Sequence, residues 1–176
     1  MTPKALADTG IARRGVLVAL LGLAGCGFRP LYGQGTPAAA MTGRVEVAML
    51  DGAPGFAMRE RLTQRLGPPA AATHRLETAL TLNRTGVALT QENVTTRYDV
   101  TGVATYRLVP LAGGPPVAAG SVRTVTGYSA PASEASSAFA SRAAERDAEE
   151  RLAVTLADQI VERLALTSAT WVGPAS

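Results

Sequence analysis

The chain has 176 residues, of which 47% are hydrophobic and 18% charged, and this composition is typical of a globular domain. A single Cys and a single His exclude an internal disulfide framework and a Cys/His metal cluster. The net charge is +3, but once the first fourteen residues are set aside, 14 basic residues face 13 acidic ones. The body of the chain therefore lacks the positive excess on which nucleic-acid binding depends, and no nucleic-acid partner is expected.

The N-terminus has the pattern of a targeting segment. Lys4, Arg13 and Arg14 precede an uncharged apolar run of about 11 residues, which is too short for the roughly 20 that span a bilayer. The run ends in Leu23-Ala24-Gly25-Cys26, which resembles the lipobox of bacterial lipoproteins. The sequence thus predicts a cleavable signal peptide over residues 1–25, with Cys26 as the lipidated first residue of the mature chain.

Two alternatives remain open at this end of the chain. Cys26 would be a buried core thiol if the segment were an N-terminal helix, since free Cys packs as a small hydrophobe. The Arg13-Arg14 pair also permits twin-arginine export, although the polar and aromatic residues expected around such a pair are missing. Gly27 is not acidic, which in such lipoproteins favours passage to the outer membrane, so a lipid-anchored, periplasm-facing location there is expected.

The mature chain divides into a tether, one domain and a tail. Residues 26–43 contain Gly and Pro without any periodicity and are predicted to be an acylated N-terminus and flexible tether. The domain is expected over residues 44–166, beginning with a strand at 44–50 and a short amphipathic helix at 56–66. That helix places Met58, Leu62 and Leu66 on one face and ends at Gly67 and two prolines.

Three further strands and a long helix follow. A second strand is predicted around 76–83, a third at 96–109 and a fourth at 117–128, antiparallel to the third, with a bulge at Gly120. The C-terminal helix, at 134–166, carries the apolar stripe Ala148, Leu152, Leu156, Ile160 and Leu164. Residues 167–176 are expected to be a loose tail.

This order predicts an α+β two-layer sandwich, in which two helices pack on one face of a four-stranded, mostly antiparallel sheet. Catalytic chemistry is not indicated, because no spacing brings two carboxylates into one pocket and no phosphate-binding loop is present. His74 opens a strand after a turn and is interpreted as a surface or strand-end residue rather than a base. We therefore expect no enzymatic activity, no cofactor and no metal.

The run Cys26-Gly27-Phe28-Arg29-Pro30-Leu31-Tyr32-Gly33 resembles the mature N-terminus of the LPS-assembly lipoprotein family LptE, also called RlpB. The predicted order of helices and strands matches that family over residues 26–166. The resemblance implies a non-enzymatic outer-membrane lipoprotein that plugs the LptD β-barrel, helps it assemble and contacts lipopolysaccharide. An alternative is a small envelope lipoprotein of similar fold that binds another periplasmic or outer-membrane partner, or peptidoglycan.

Three arginines are candidate ligands for the anionic partner that the resemblance implies. Alternation places Arg97, Arg107 and Arg123 on exposed strand positions, where they would form a basic patch for lipopolysaccharide phosphate or for acidic lumen residues. The other interpretation is that they are ordinary strand-surface charges that discourage edge pairing, with Asp99 neutralising its neighbours.

Overall fold

A computed structural model describes residues 36–89, 95–130 and 137–172 of the chain. Within these ranges the elements follow the predicted order, with one extra short helix before the first strand and a 3₁₀ helix at the end. They are α1 (Pro37–Ala40), β1 (Val45–Val47), α2 (Gly52–Leu66), β2 (His74–Leu89), β3 (Thr95–Pro110), β4 (Ala118–Ser129), α3 (Ser137–Thr167) and the 3₁₀ helix Ser168–Thr170.

The four strands form one sheet in the order β1-β2-β3-β4. Strand β3 is antiparallel to both β2 and β4, with Leu76 opposite Leu108 and Ala104 opposite Val122. Strand β1 instead runs parallel to β2, because α2 connects the two strands as a crossover and so returns the chain in the same direction. The α+β class is confirmed, and the four-stranded sheet is mixed, with one parallel and two antiparallel strand pairs.

Helices α2 and α3 form the second layer, and their predicted apolar stripes point into the core. Met58, Leu62 and Leu66 of α2 are fully buried. The stripe of α3 is buried along its whole length from residue 148 to residue 164: Ala148, Leu152, Leu156, Ile160 and Leu164. The core therefore lies between this helix pair and one face of the sheet.

The two helices are also joined by a bidentate ion pair between Arg61 and Asp158. Arg61 Nε and one terminal nitrogen contact the two carboxylate oxygens of Asp158 at 2.9 and 3.0 Å, and Arg65 Nε lies 3.7 Å from the same carboxylate. Its hydrogen bond to Asp158 raises the pKa of Arg61 above the ordinary value. The pair fixes how α2 lies along α3 in a way that apolar contacts alone do not.

The folded body begins earlier than predicted. Thr36 caps α1 by accepting a hydrogen bond from the Ala39 amide at 3.2 Å, and Ala38 and Met41 are each only 1% exposed. The prediction of a flexible tether is therefore wrong for residues 36–43. Gly and Pro suggested a linker, but the side chains of Ala38 and Met41, which lie between them, pack into the core.

The loose tail predicted from residue 167 is also wrong where the structure describes it. Ser168 is buried and donates to the Ala165 carbonyl at 2.6 Å, which starts the 3₁₀ helix. Trp171 and Val172 then pack against the core, and the Trp171 ring meets the His74 ring edge-on at 5.2 Å. Residues 173–176 lie outside the described part of the chain.

Two local expectations about the strands need correction. Strand β2 continues to Leu89, beyond the predicted end at residue 83, and its irregularity lies between Gly86 and Leu89. Gly120 pairs with Tyr106 in a regular register, so the predicted bulge at Gly120 is wrong. A side chain at Gly120 would instead meet the Tyr106 ring, with a Cβ only 2.8 Å from the hydroxyl oxygen, which is why glycine suits this position.

Candidate functional site

One face of the sheet is left uncovered by the helices, and we call it the open face. Along β2, β3 and β4 the side chains that point away from the core alternate with those that point into it, and each is exposed or half-buried. Its members with described side chains are Arg75, Glu77, Ala79, Thr81, Asn83, Thr85, Val87, Arg97, Asp99, Thr101, Val103, Thr105, Arg107, Val109, Ala119, Ser121, Arg123, Val125, Gly127 and Ser129.

The open face is polar without being strongly charged. Threonine and serine hydroxyls recur along it, and its four arginines alternate with two carboxylates. A shallow depression of about 360 Å³ is lined in part by the small side chains of Ala79 and Ala119, with Glu77 and Arg107 beside them. Such a surface presents hydrogen-bond donors and acceptors along the exposed side of each of the three strands β2, β3 and β4.

All three predicted arginines lie on the open face, but they are spread along it. Arg97 and Arg107 are ten residues apart on β3, which is about 33 Å at 3.3 Å per residue. Arg123 lies between them on β4, opposite Val103, whereas Arg107 lies directly opposite Glu77. The structure thus brings the three side chains to one surface without gathering them into one compact patch.

Sequence reasoning missed a cation on the opposite face. Arg84 lies on the helix side of β2, where it contacts Glu145 of α3 at 2.6 Å and stands over the Tyr98 ring at 5.2 Å. Tyr98 stacks on Tyr128 at 5.3 Å, and the Tyr128 hydroxyl accepts a hydrogen bond from Arg84 at 3.5 Å. That hydrogen bond, ahead of the charge of Glu145, raises the pKa of Arg84. Strand alternation from Leu76 onward would have placed Arg84 on this face.

His74 has the position that the sequence predicted, at the start of a strand. Its Nδ1 lies 2.9 Å from the Thr73 hydroxyl, and partial burial lowers the pKa of the imidazole. Its ring contacts the Thr73 hydroxyl and the Trp171 ring, and neither of these groups is a carboxylate that would orient it as a base.

Neither a metal cluster nor a membrane-spanning helix is found among the residues that the structure describes. No three His, Cys, Asp or Glu side chains gather there as ligands for an ion. In the same part of the chain, no helix has both the length and the apolar character that crossing a bilayer requires. Cys26 and the predicted signal peptide lie outside the described residues.

The chain shares its fold with small bacterial lipoproteins of known structure. It matches a protein described as a lipoprotein from Caulobacter crescentus CB15 with 20% identity and a TM-score of 0.57, covering 76% of this chain and 96% of that one. Rare lipoprotein B from Shewanella oneidensis matches with 16% identity, a TM-score of 0.51 and coverage of 72% and 95%. A minor lipoprotein from Acinetobacter baumannii matches with 12% identity, a TM-score of 0.51 and coverage of 70% and 89%.

The family is defined by the sequence itself. Residues 42–164 match the model of the lipopolysaccharide-assembly family LptE, and the chain belongs to this family. It matches no curated protein by sequence. The resemblance seen at Cys26 and the residues after it is therefore confirmed at the level of the family, by a match that covers the four strands, α2 and all but the last three residues of α3.

Proposed function

We propose that this chain is an outer-membrane lipoprotein, anchored through Cys26, that serves as plug and assembly partner of the LptD β-barrel during lipopolysaccharide transport. Membership of the lipopolysaccharide-assembly family supports the process, and the lipobox at Leu23–Cys26 supports the anchor. The observation that carries the barrel partnership is the open face, a polar sheet surface that the helices of this domain leave uncovered.

A plug must present polar groups to a barrel lumen, because the inner wall of an outer-membrane barrel is polar and hydrated. The hydroxyls and arginines of the open face meet that requirement, while the fully buried leucines of the sheet, Leu76 and Leu108, are turned toward the helix layer. The opposite layer could not serve equally well as a sheet-shaped docking surface, since two helices and their ion pairs occupy it. We therefore assign the barrel contact to the open face.

We further propose that Arg97, Arg107 and Arg123 bind lipopolysaccharide phosphate or acidic lumen side chains. Guanidinium groups form bidentate pairs with phosphates and carboxylates. None of the three arginines forms an ion pair with another described residue, so each is available to an anionic partner. Their spread along about 33 Å suits several separate contacts with one long partner better than a single ligand pocket.

The test is copurification of the full chain with the barrel from outer membranes. Replacing Arg97, Arg107 and Arg123 together with Gln should reduce the recovered barrel and the bound lipopolysaccharide. The matched control replaces three exposed arginines of α3 with Gln, at Arg142, Arg146 and Arg151, which removes the same charge elsewhere and should leave both quantities unchanged. Equal recovery with both triple variants would remove the arginine proposal, and recovery of a different envelope partner would replace the barrel proposal.

The anchor has its own test. The intact mass of the membrane-extracted protein should show loss of residues 1–25 and added fatty acyl mass on the new N-terminal residue. A Cys26→Ser variant should keep its signal peptide and carry no acyl mass. An uncut, unmodified wild-type chain would contradict the anchor and the outer-membrane location together.

A further inference from the structure

A cleft lies between β1 and α2, at the edge of the sheet. Strand β1 is the first strand of the sheet, and among the residues that the structure describes it pairs with a strand on one side only. The cleft beside its other edge has a volume of about 290 Å³ and is lined by Val45, Glu46, Val47, Arg59, Thr63 and Gly67, among others. The Glu46 carboxylate in this lining lies 3.5 Å from the guanidinium group of Arg75. It continues along α2 into a second depression that Arg59, Thr63 and Gly67 also line.

The unpaired edge of β1 turns its backbone groups toward this cleft. Arg44 and Ala48 make their backbone hydrogen bonds toward β2, through the Arg44 carbonyl at 3.2 Å and the Ala48 amide at 3.0 Å. In a parallel ladder alternate residues bond to opposite sides, so Val45 and Val47 direct their N–H and C=O groups away from β2. These groups are a template on which another extended strand can pair.

Arg59 adds an unmet positive charge to the same cleft. Its Nε is buried and has no hydrogen-bond partner, and Arg59 forms no ion pair with any residue that the structure describes. By contrast, Arg61, two residues further along the same helix, donates two hydrogen bonds to the carboxylate of Asp158. A buried donor without an acceptor is costly, so an incoming acceptor at this position would be strongly favoured.

We propose that this cleft binds an extended peptide segment of a partner protein, with an acidic side chain that pairs with Arg59. The segment adds to the edge of β1 through main-chain hydrogen bonds, and its carboxylate accepts from the guanidinium group. Glu46 in the same cleft is paired with Arg75, whereas Arg59 has no ion-pair partner among the described residues, so the charge of Arg59 favours an acidic segment over a neutral one. The interaction does not use Arg97, Arg107 or Arg123, so the two proposals stand or fail separately.

The experiment titrates the full purified chain, in detergent, with two synthetic peptides that differ in one group. One is acetyl-Thr-Val-Glu-Val-Thr-amide and the other has Gln in place of Glu. We expect the Glu peptide to bind about tenfold more tightly than the Gln peptide, as one charge-assisted hydrogen bond implies. The amide resonances that shift should be those of residues 45–47 and of the facing turn of α2.

Variants at Arg59 complete the test. Arg59→Gln should abolish the preference for the Glu peptide, Arg59→Lys should keep part of it, and the control Arg146→Gln should keep all of it. Circular dichroism identifies a misfolded variant, in which case Arg59→Lys alone decides. Equal affinity for the two peptides, absence of saturable binding at millimolar concentrations, or a preference that survives Arg59→Gln would each overturn the proposal. A photo-crosslink from Thr63 to the residues before Thr36 would assign the cleft to the chain's own N-terminal segment and would also overturn it.

Discussion

At the scale of single residues, the glycine at position 102 is explained by tertiary packing and not by the strand pattern. Alternation correctly places Gly102 on the core face of β3, but it gives no reason for a glycine there. The reason is tertiary, because a Cβ at Gly102 would overlap the side chain of Leu152 and approach Leu156 within 2.9 Å. The strand sequence alone cannot show which residue of α3 packs on which residue of β3, because that depends on how the helix lies across the sheet.

Replacing Gly102 with Ala should therefore lower the free energy of unfolding by about 1–3 kcal/mol, because the added methyl group forces Leu152 out of its place. The matched control is Gly127→Ala on the open face of β4, where the added atom meets the flexible carboxylate of Asp99 at 3.1 Å. That variant should stay within about 0.5 kcal/mol of wild type. Urea denaturation of both variants measures the difference, and equal stabilities would show that Leu152 does not pack as described.

Glu149 gives a prediction that depends on pH. Partial burial, reinforced by the charge of Glu145, raises the pKa of its carboxyl above the ordinary value near 4.5. The fold therefore disfavours the ionised form, and this penalty is present at neutral pH, fades as the pH falls through the raised pKa, and is absent below the ordinary value. Glu149→Gln should be slightly more stable than wild type at pH 7, by about 0.5 kcal/mol or less because the group is partly solvated.

The measurement compares the midpoints of urea denaturation for wild type and Glu149→Gln between pH 7 and pH 4. The gain should shrink toward zero as the pH falls. Glu150→Gln removes the same charge from the exposed side of the same helix and serves as the matched control. A gain that stayed constant with pH would mean that Glu149 is not the titrating group.

At the scale of elements, the strongest periodic patterns predicted the structure well. The apolar stripe of α3 and the alternation of β3 each extend over many residues, and both elements end within a few residues of their predicted bounds. Strand β2 was underestimated because Arg84, Thr85 and Gly86 interrupt the apolar alternation, yet pairing with β3 supplies their hydrogen bonds and extends the strand. The parallel pairing of β1 involves only three residues, too few for a pattern to reveal its direction.

The short helix α1 was missed for a related reason, since four residues carry no periodicity. Its role in the core can be tested with Met41→Ala, which should lower the free energy of unfolding by about 2–5 kcal/mol because the side chain is fully buried. Met49→Ala is the control, because Met49 is 77% exposed, and it should change stability by less than about 0.5 kcal/mol. A tether at residues 36–43 would make the two variants equally mild.

At the scale of the whole molecule, the two faces of the sheet differ in their surroundings. Helices cover one face and form the core with it, and the polar open face is left uncovered. Alternation alone placed Arg97, Arg107 and Arg123 on that face, because a period of two fixes the side of a sheet. The distances between these arginines depend on the register of the strands, and the cleft at Arg59 depends on how α2 packs against β1. Neither can be predicted from a local sequence pattern.

The account depends most on the claim that the open face is the surface that meets the outer-membrane barrel. The most direct measurement is photo-crosslinking in living cells from benzoylphenylalanine placed at Thr101 or Thr105 on the open face, compared with Arg142 or Glu150 on the solvated side of α3. The account predicts crosslinks to a large outer-membrane barrel from the two threonine positions and none from the two helix positions. Crosslinks to the barrel from the helix positions alone, or from no position, would contradict it.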